Sequence, residues 1–355
     1  MRSPSLFPAT RRRHRPTARA AAGRRLARLF LLLPLAALLL LPLPAAAAPE
    51  TEALSPRLLD AVVKVESKVP PDARSAASLG TSREGNGVVI DNDGLVLTIG
   101  YLVMEANEVS VMVRGGRRVP ARIVAYDYDT GFGLLRAEAP LGIKPMELGD
   151  SRGLSERDPV LVAAHGGTEA AIGALVASRR RFAGYWEYMI EDAIFTAPPH
   201  PSFGGAALID KAGKLVGIGS LIVPDAVEEA QLPGNMFVPI DLLKPIFGDL
   251  LASGRSTAPR KPWLGIWSQE ALGRVVISRV VEDGPAASAG LAAGDLVLTV
   301  GGRPVTGLAE LYQRLWEAGA PGAAVRMTVL KGVVPTEITI KSGDRYDWLR
   351  LNRTY

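Results

Sequence analysis

The chain has 355 residues, 48% of them hydrophobic and 22% charged, enough for two domains with sizeable cores and some appendages. Its formal charge is +5, but nine of the 41 Lys and Arg residues are arginines within the first 28 positions, where no acid occurs; the other 32 basic and 36 acidic residues leave −4 for the rest. The basic balance belongs to the leader, so charge gives no ground for expecting nucleic-acid binding, and the absence of cysteine excludes disulfides and thiolate sites.

The leader places Arg11-Arg12-Arg13 and Arg24-Arg25 before an apolar run from Leu29 to Leu43, followed by Ala45-Ala46-Ala47-Ala48. Charged, apolar and small residues in that order predict a secretory signal over residues 1–47, cut after Ala47, and hence a periplasmic or otherwise exported protein. The rival is an uncleaved membrane anchor, because the run is near spanning length. Pro34, Pro42 and Pro44 favour cleavage, which would leave no stable membrane span. Arg24-Arg25 leaves Sec and twin-arginine export both open.

From Leu58 to about Val223 short apolar runs alternate with turn signals. Gly87 to Thr98 reads as a hairpin around Asp91-Asn92-Asp93-Gly94. Further runs are Val109–Val113, Val119–Ala125, Thr130-Gly131-Phe132-Gly133-Leu134-Leu135, Pro159–Ala163 and Lys214–Ile218. Phe182, Tyr185, Trp186 and Tyr188 form a dense aromatic cluster, expected in a barrel core or between barrels, with a ligand-facing patch as the alternative. Glu187, Glu191 and Asp192 are expected to be solvated charges. Pro201-Ser202-Phe203-Gly204-Gly205-Ala206-Ala207-Leu208-Ile209-Asp210 puts a tight turn before an apolar strand. A helix is predicted over Leu242–Leu251, ending near Gly254, and residues 255–262 are polar and proline-bearing, as a linker is.

These segments resemble HtrA-type serine proteases, whose nucleophile loop reads P-G-N-S-G-G-P-L-V. Aligned without gaps, Gly204 stands where the attacking serine would be. The hairpin of that family leads into T-N-N-H-V-V with the catalytic histidine; here Thr98 leads into Ile99-Gly100-Tyr101-Leu102-Val103, with Tyr101 at the histidine position. The family's T-D-L-A-V-L strand supplies the aspartate, and Gly131 stands there. A triad needs a nucleophile, a base near neutral pKa and an orienting carboxylate, and Tyr101, Gly131 and Gly204 supply none of them. The resemblance implies a mostly β fold, a trypsin-like double six-stranded β-barrel over residues 48–254. Backbone N–H groups of an oxyanion hole are expected near Phe203 to Ala206.

Residues 263–345 resemble a PDZ domain, with residues 346–355 as a C-terminal tail. The resemblance rests on Asp283-Gly284-Pro285-Ala286-Ala287-Ser288-Ala289-Gly290-Leu291-Ala292-Ala293-Gly294-Asp295, then Gly301-Gly302, and on an amphipathic helix over Leu308–Trp316. Trp263-Leu264-Gly265-Ile266 fits the loop that offers backbone N–H groups to a peptide's terminal carboxylate. Such a peptide would add as a strand beside the one beginning at Ile266, with Leu264, Ile266, Leu311 and Leu315 lining the pocket for its last side chain.

The sequence thus reads as an exported HtrA-like pseudoprotease without a cofactor, binding polypeptides or C-terminal tails through its PDZ domain, in envelope protein quality control or protease regulation. Two alternatives stay open: an active serine endopeptidase with a non-standard site, and a metal-binding module using His165 and His200. A homo-oligomer also stays open. Active relatives often trimerise through an N-terminal aromatic contact, and Pro49 to Asp60 holds no aromatic residue.

Overall fold

The structure, a computed structural model, describes residues 55–351; the expected leader and its cleavage site lie outside them. Strands β1 (Val62–Lys68), β2 (Ser82–Val89), β3 (Leu95–Ile99), β4 (Glu108–Met112), β5 (Arg118–Tyr126) and β6 (Phe132–Ala137) close an antiparallel barrel in the order β1-β2-β3-β6-β5-β4. A short helix, α1 (Ala76–Leu79), sits in the β1–β2 connection. Along most of β1 and the first half of β5, buried residues alternate with more exposed ones, as the two-residue period of a strand with one core face requires. The expected hairpin forms, with the Asp91 carboxylate accepting from the Asp93 and Leu95 N–H groups and Gly94 at φ +77°.

A second barrel follows from β7 (Pro159–Ala163), β8 (Ala171–Gly184), β9 (Tyr188–Ala197), β10 (Ala207–Ile209), β11 (Leu215–Val227) and β12 (Leu232–Pro239), ordered β10-β11-β12-β9-β8-β7. Its core is Val162, Val176, Ile194, Leu208, Val216 and Phe237. The helix expected from Leu242 starts later: α2 covers Phe247–Ser253 and ends at Gly254 in the left-handed conformation. Pro245 explains the delay, since proline disfavours helical backbone at the residue before it.

The C-terminal domain is a sheet of β13 (Ile266–Ala271), β14 (Arg274–Val280), β15 (Leu296–Val300), β17 (Ala324–Lys331) and β18 (Val334–Lys341), with the short β16 (Arg303–Pro304) paired to β15. It carries α3 (Pro285–Ser288) and α4 (Leu308–Trp316), the latter over the expected residues with Leu308, Leu311 and Leu315 buried. After the sheet, α5 (Arg345–Trp348) turns the chain back toward the first barrel. Leu349 packs with Met104 and Tyr126, and the Arg350 N–H donates to Glu105 at 2.7 Å. Among the described residues no helix is long and apolar enough to cross a membrane.

Candidate functional site: the inter-barrel cleft and the PDZ loop

Tyr101, Gly131 and Gly204 converge on one cleft between the two barrels. Tyr101 lies on the single turn after β3, and its hydroxyl donates to the Ser220 carbonyl on β11 at 2.9 Å. Gly204 lies just before β10, and its carbonyl accepts from the Asn86 backbone N–H and side-chain amide at 2.8 and 3.0 Å. A Cβ added at Gly204 would sit 2.8 Å from the Tyr101 hydroxyl oxygen. The tyrosine's polar end therefore fills the space a side chain at position 204 would need.

Gly131 precedes β6 at φ +84°, and its carbonyl accepts from the Gly100 N–H at 2.7 Å. A Cβ there would meet the Tyr188 hydroxyl at 3.0 Å, and that hydroxyl already donates to the Thr130 carbonyl at 2.7 Å. Burial pushes the phenols of Tyr101 and Tyr188 well above the usual tyrosine range, so both stay protonated and neither is a base near neutral pH.

The hydrogen bonds around Gly204 also differ from an oxyanion hole. In the trypsin architecture the donors are the N–H of the nucleophile and that of the residue two before it. The latter here is Ser202, whose N–H donates to His200 Nδ1 at 3.0 Å. The Gly205 N–H donates to the Gly219 carbonyl and the Ala206 N–H to the Phe203 carbonyl. His200 Nδ1, as an acceptor, leaves the ring proton on Nε2, which faces the Ala170 carbonyl at 3.2 Å. Both ring nitrogens are occupied by backbone, and burial lowers the pKa of the imidazole.

His165 holds Asn86 Oδ1 with its N–H at 2.8 Å, and its Nδ1 lies 3.3 Å from the Val62 carbonyl. Among the described residues no group of three or more His, Cys, Asp or Glu side chains is placed to hold a metal ion. His165 thus ties the loop after β7 to β1 and β2, while His200 holds the loop before Gly204 within the second barrel.

The cleft continues into a cavity of about 340 Å³ between the barrels and the C-terminal domain, lined by Tyr101, Gly131, Trp186, Tyr188, Trp267 and Trp348 among others. The expected aromatic cluster packs in the second barrel's core, where Phe182 and Tyr188 meet Phe195, and bridges to the first barrel through Tyr188, which meets Tyr128 and donates to Thr130, while Tyr185 extends it to the C-terminal domain. Trp186 stacks on Tyr188 at 5.4 Å between ring centres, whereas Tyr185 faces Trp267 on β13 at 5.1 Å.

The expectation for Glu187 is overturned. Glu191 and Asp192 are exposed and paired with Arg181 and Arg179, but Glu187 is 1% exposed. It stands at the tip of the β8–β9 hairpin at φ +56°. Its carboxylate lies against the loop assigned from sequence to a peptide's carboxylate. Oε2 accepts from the Leu264 N–H at 3.0 Å, and Oε1 accepts from Gly265 and Ile266 at 2.7 and 2.8 Å. Gly265 adopts φ +78°, which turns these N–H groups to one side without a Cβ penalty.

The rest of the hairpin tip is held too. The Ser268 N–H on β13 donates to the Tyr185 carbonyl at 2.8 Å. The Tyr312 hydroxyl on α4 donates to the Gly184 carbonyl at 2.6 Å and accepts from the Glu187 N–H at 3.2 Å. Tyr128 donates to the Trp186 and Glu187 carbonyls, and Arg345 reaches the Trp186 carbonyl at 3.1 Å. Burial pushes the Glu187 carboxyl up to about 7, against the three N–H donors and the Arg345 charge, which pull it down.

Leu264, Ile266, Leu311 and Leu315 are 0–1% exposed and pack in the domain's core beneath the loop, and Ile266 also lines the cavity. Trp263 closes the sheet by exchanging backbone hydrogen bonds with Gly343, and its ring meets Trp348 at 5.0 Å. Glu187, Ser220 and Tyr312 were not singled out from sequence as site residues, and Tyr188 only as one of the aromatic cluster. A lone acid in an aromatic hairpin tip is the one local signal that sets Glu187 apart.

Two closed six-stranded barrels with this topology, followed by a compact sheet with α4 across it, define a trypsin-like peptidase fold joined to a PDZ domain. Family comparison agrees: the trypsin-like peptidase domain matches residues 85–218 and the PDZ domain residues 262–341. Curated relatives are of the HtrA type. A probable periplasmic serine endoprotease DegP-like of Pseudomonas fulva is 26% identical over 305 residues, covering 80% of this chain and 60% of the relative. Serine protease PepD of Mycobacterium tuberculosis is 28% identical over 314 residues, covering 81% and 66%. The chain thus spans about three fifths of the length of the DegP-like relatives. Among solved structures, HtrA-type protease AlgW with a decapeptide aligns at TM-score 0.49 and 22% identity, covering 81% of this chain and 97% of that one.

Proposed function

We propose that this protein is an exported, catalytically silent relative of the HtrA proteases that binds polypeptides, in particular C-terminal tails, through its PDZ domain. The observation that carries the silent reading is the Tyr101 hydroxyl in the space beside Gly204, bonded to Ser220 where a nucleophile's side chain would stand. Loss of a single triad member costs several orders of magnitude in rate, and here all three aligned positions lack their chemistry. The binding reading is supported by the loop at Leu264–Ile266, which already receives a carboxylate. Export is supported by the leader and by the periplasmic description of the DegP-like relatives.

A second reading, an active serine endopeptidase, is favoured by the relatives' names alone. Fluorophosphonate labelling together with casein cleavage separates the two. We expect neither label nor turnover. Stoichiometric labelling of any serine with matching hydrolysis would overturn the silent reading. The triple change Tyr101→His, Gly131→Asp and Gly204→Ser is expected to recover little activity. An aspartate at 131 meets Tyr188 on left-handed backbone, and the Ser202 N–H stays with His200.

A further inference from the structure

We infer that the tip of the β8–β9 hairpin is a tethered stand-in for the peptide, so that a C-terminal tail reaches the PDZ loop only by displacing Glu187. The inference rests on the peptide-binding reading above and adds how that site is regulated. A tail adding as a strand would present a carboxylate to the loop and, further back along its backbone, a carbonyl to the strand edge. The hairpin tip offers both. The Glu187 carboxylate takes the three N–H groups of Leu264, Gly265 and Ile266, and the Tyr185 carbonyl, two residues earlier, takes the N–H of Ser268. The edge of β13 not paired to β14 is thereby engaged, and Tyr185 covers Trp267 beside it.

The contact is built and not incidental. Tyr312, fully buried on α4, spends its hydroxyl on both ends of the tip, Gly184 and Glu187. The loop faces one carboxylate at a time, so tip and tail exclude each other. Because the tip belongs to the same chain, it competes at a high effective concentration that dilution does not reduce. A tail that wins would free Tyr185 and Trp186 from the seam, and Trp186 also lines the cavity beside Tyr101 and Gly131.

The test uses the full chain and short fluorescent peptides ending in a free apolar residue, with the same peptides amidated as controls. Fluorescence anisotropy is recorded for the wild type, Glu187→Ala, Glu187→Gln and Tyr312→Phe. If the closed tip is the main species by ten to one, removing it tightens apparent affinity by about tenfold. Glu187→Ala should show that gain for free-acid peptides and none for amidated ones. Tyr312→Phe, which loosens the tip but keeps the carboxylate, should gain less in the same direction. Hydrogen exchange of the Leu264, Gly265, Ile266 and Ser268 amides should rise in Glu187→Ala without peptide and fall when peptide is added. A cooperative melt establishes that each variant is folded. Equal affinity for wild type and both Glu187 and Tyr312 variants would overturn the stand-in while leaving peptide binding intact. No binding by any folded variant would overturn both readings.

Discussion

Substituting Gly204 by alanine tests whether the Tyr101 hydroxyl really occupies the nucleophile's space. Gly204 does not need left-handed backbone, so conformation alone does not oppose a side chain there. The obstacle is one atom. The new Cβ would lie 2.8 Å from the Tyr101 hydroxyl oxygen, whereas the next nearest atom, the ring carbon bearing it, is 3.8 Å away, an ordinary contact. Relieving the clash means moving a half-buried tyrosine off Ser220. Overpacking of this kind costs about 1–3 kcal/mol. The lost hydrogen bond adds about 1 kcal/mol. Gly204→Ala should therefore destabilise the wild type by about 2–4 kcal/mol. In a Tyr101→Phe background the offending oxygen is gone, and the same substitution should cost less than about 1 kcal/mol and could gain from reduced freedom of the unfolded chain. With the wild-type cost at the middle of its range, the coupling between the two sites is about 2 kcal/mol or more. For a domain of this size that corresponds to roughly 4–8 °C in melting midpoint. A double-mutant cycle from thermal melts, followed by far-ultraviolet circular dichroism and tryptophan fluorescence, measures it. If Gly204→Ala costs the same in both backgrounds, the hydroxyl does not fill that space, and the steric basis for a silent cleft falls.

The seam should also respond to pH. The Glu187 carboxyl is raised from an ordinary 4.5 to about 7 in the folded protein, so its contribution is full below about 4.5 and is lost as pH rises through 7. Between pH 5 and pH 8 the wild type should lose about 2–3 kcal/mol relative to Glu187→Gln, and peptide affinity should rise over the same range. Arg345 is the charge that opposes the shift, and the buried phenols of Tyr128 and Tyr312 flank the group without titrating in that window. Parallel pH profiles of the melting midpoint for the two proteins would contradict the burial account. Amino-terminal sequencing of the exported protein should find a start at Ala48; a full-length species that remains with membranes after alkaline extraction would point to an anchor instead.

Much of the architecture is written in local sequence. Alternating apolar residues and Gly- or Asp-bearing turns specify the barrel strands, because a strand with one core face has a period of two and its turns need particular residues. The stripe of Leu308, Leu311 and Leu315 specifies α4 residue for residue. Gly265 marks the one backbone position where the PDZ loop must turn its N–H groups inward. Tyr101, Gly131 and Gly204 were legible as candidates from the frames around them, and the fold brings them to one cleft, with Tyr101 and Gly131 lining one cavity and the Tyr101 hydroxyl beside Gly204.

What the chain does with those positions was decided by residues far apart in sequence. Tyr101 finds its acceptor in Ser220, 119 residues away, and no local pattern announces that pairing. Pocket and core leucines look alike in sequence, because an apolar side chain under a loop and one behind it satisfy the same pattern. Glu187 is the clearest case. A single glutamate in a hairpin tip reads locally as a solvated charge, even beside Tyr185, Trp186 and Tyr188. It is buried because three N–H groups on a loop 77 to 79 residues further along are aimed at its carboxylate. A charge leaves water only where such partners are prearranged, and tertiary packing alone arranges them.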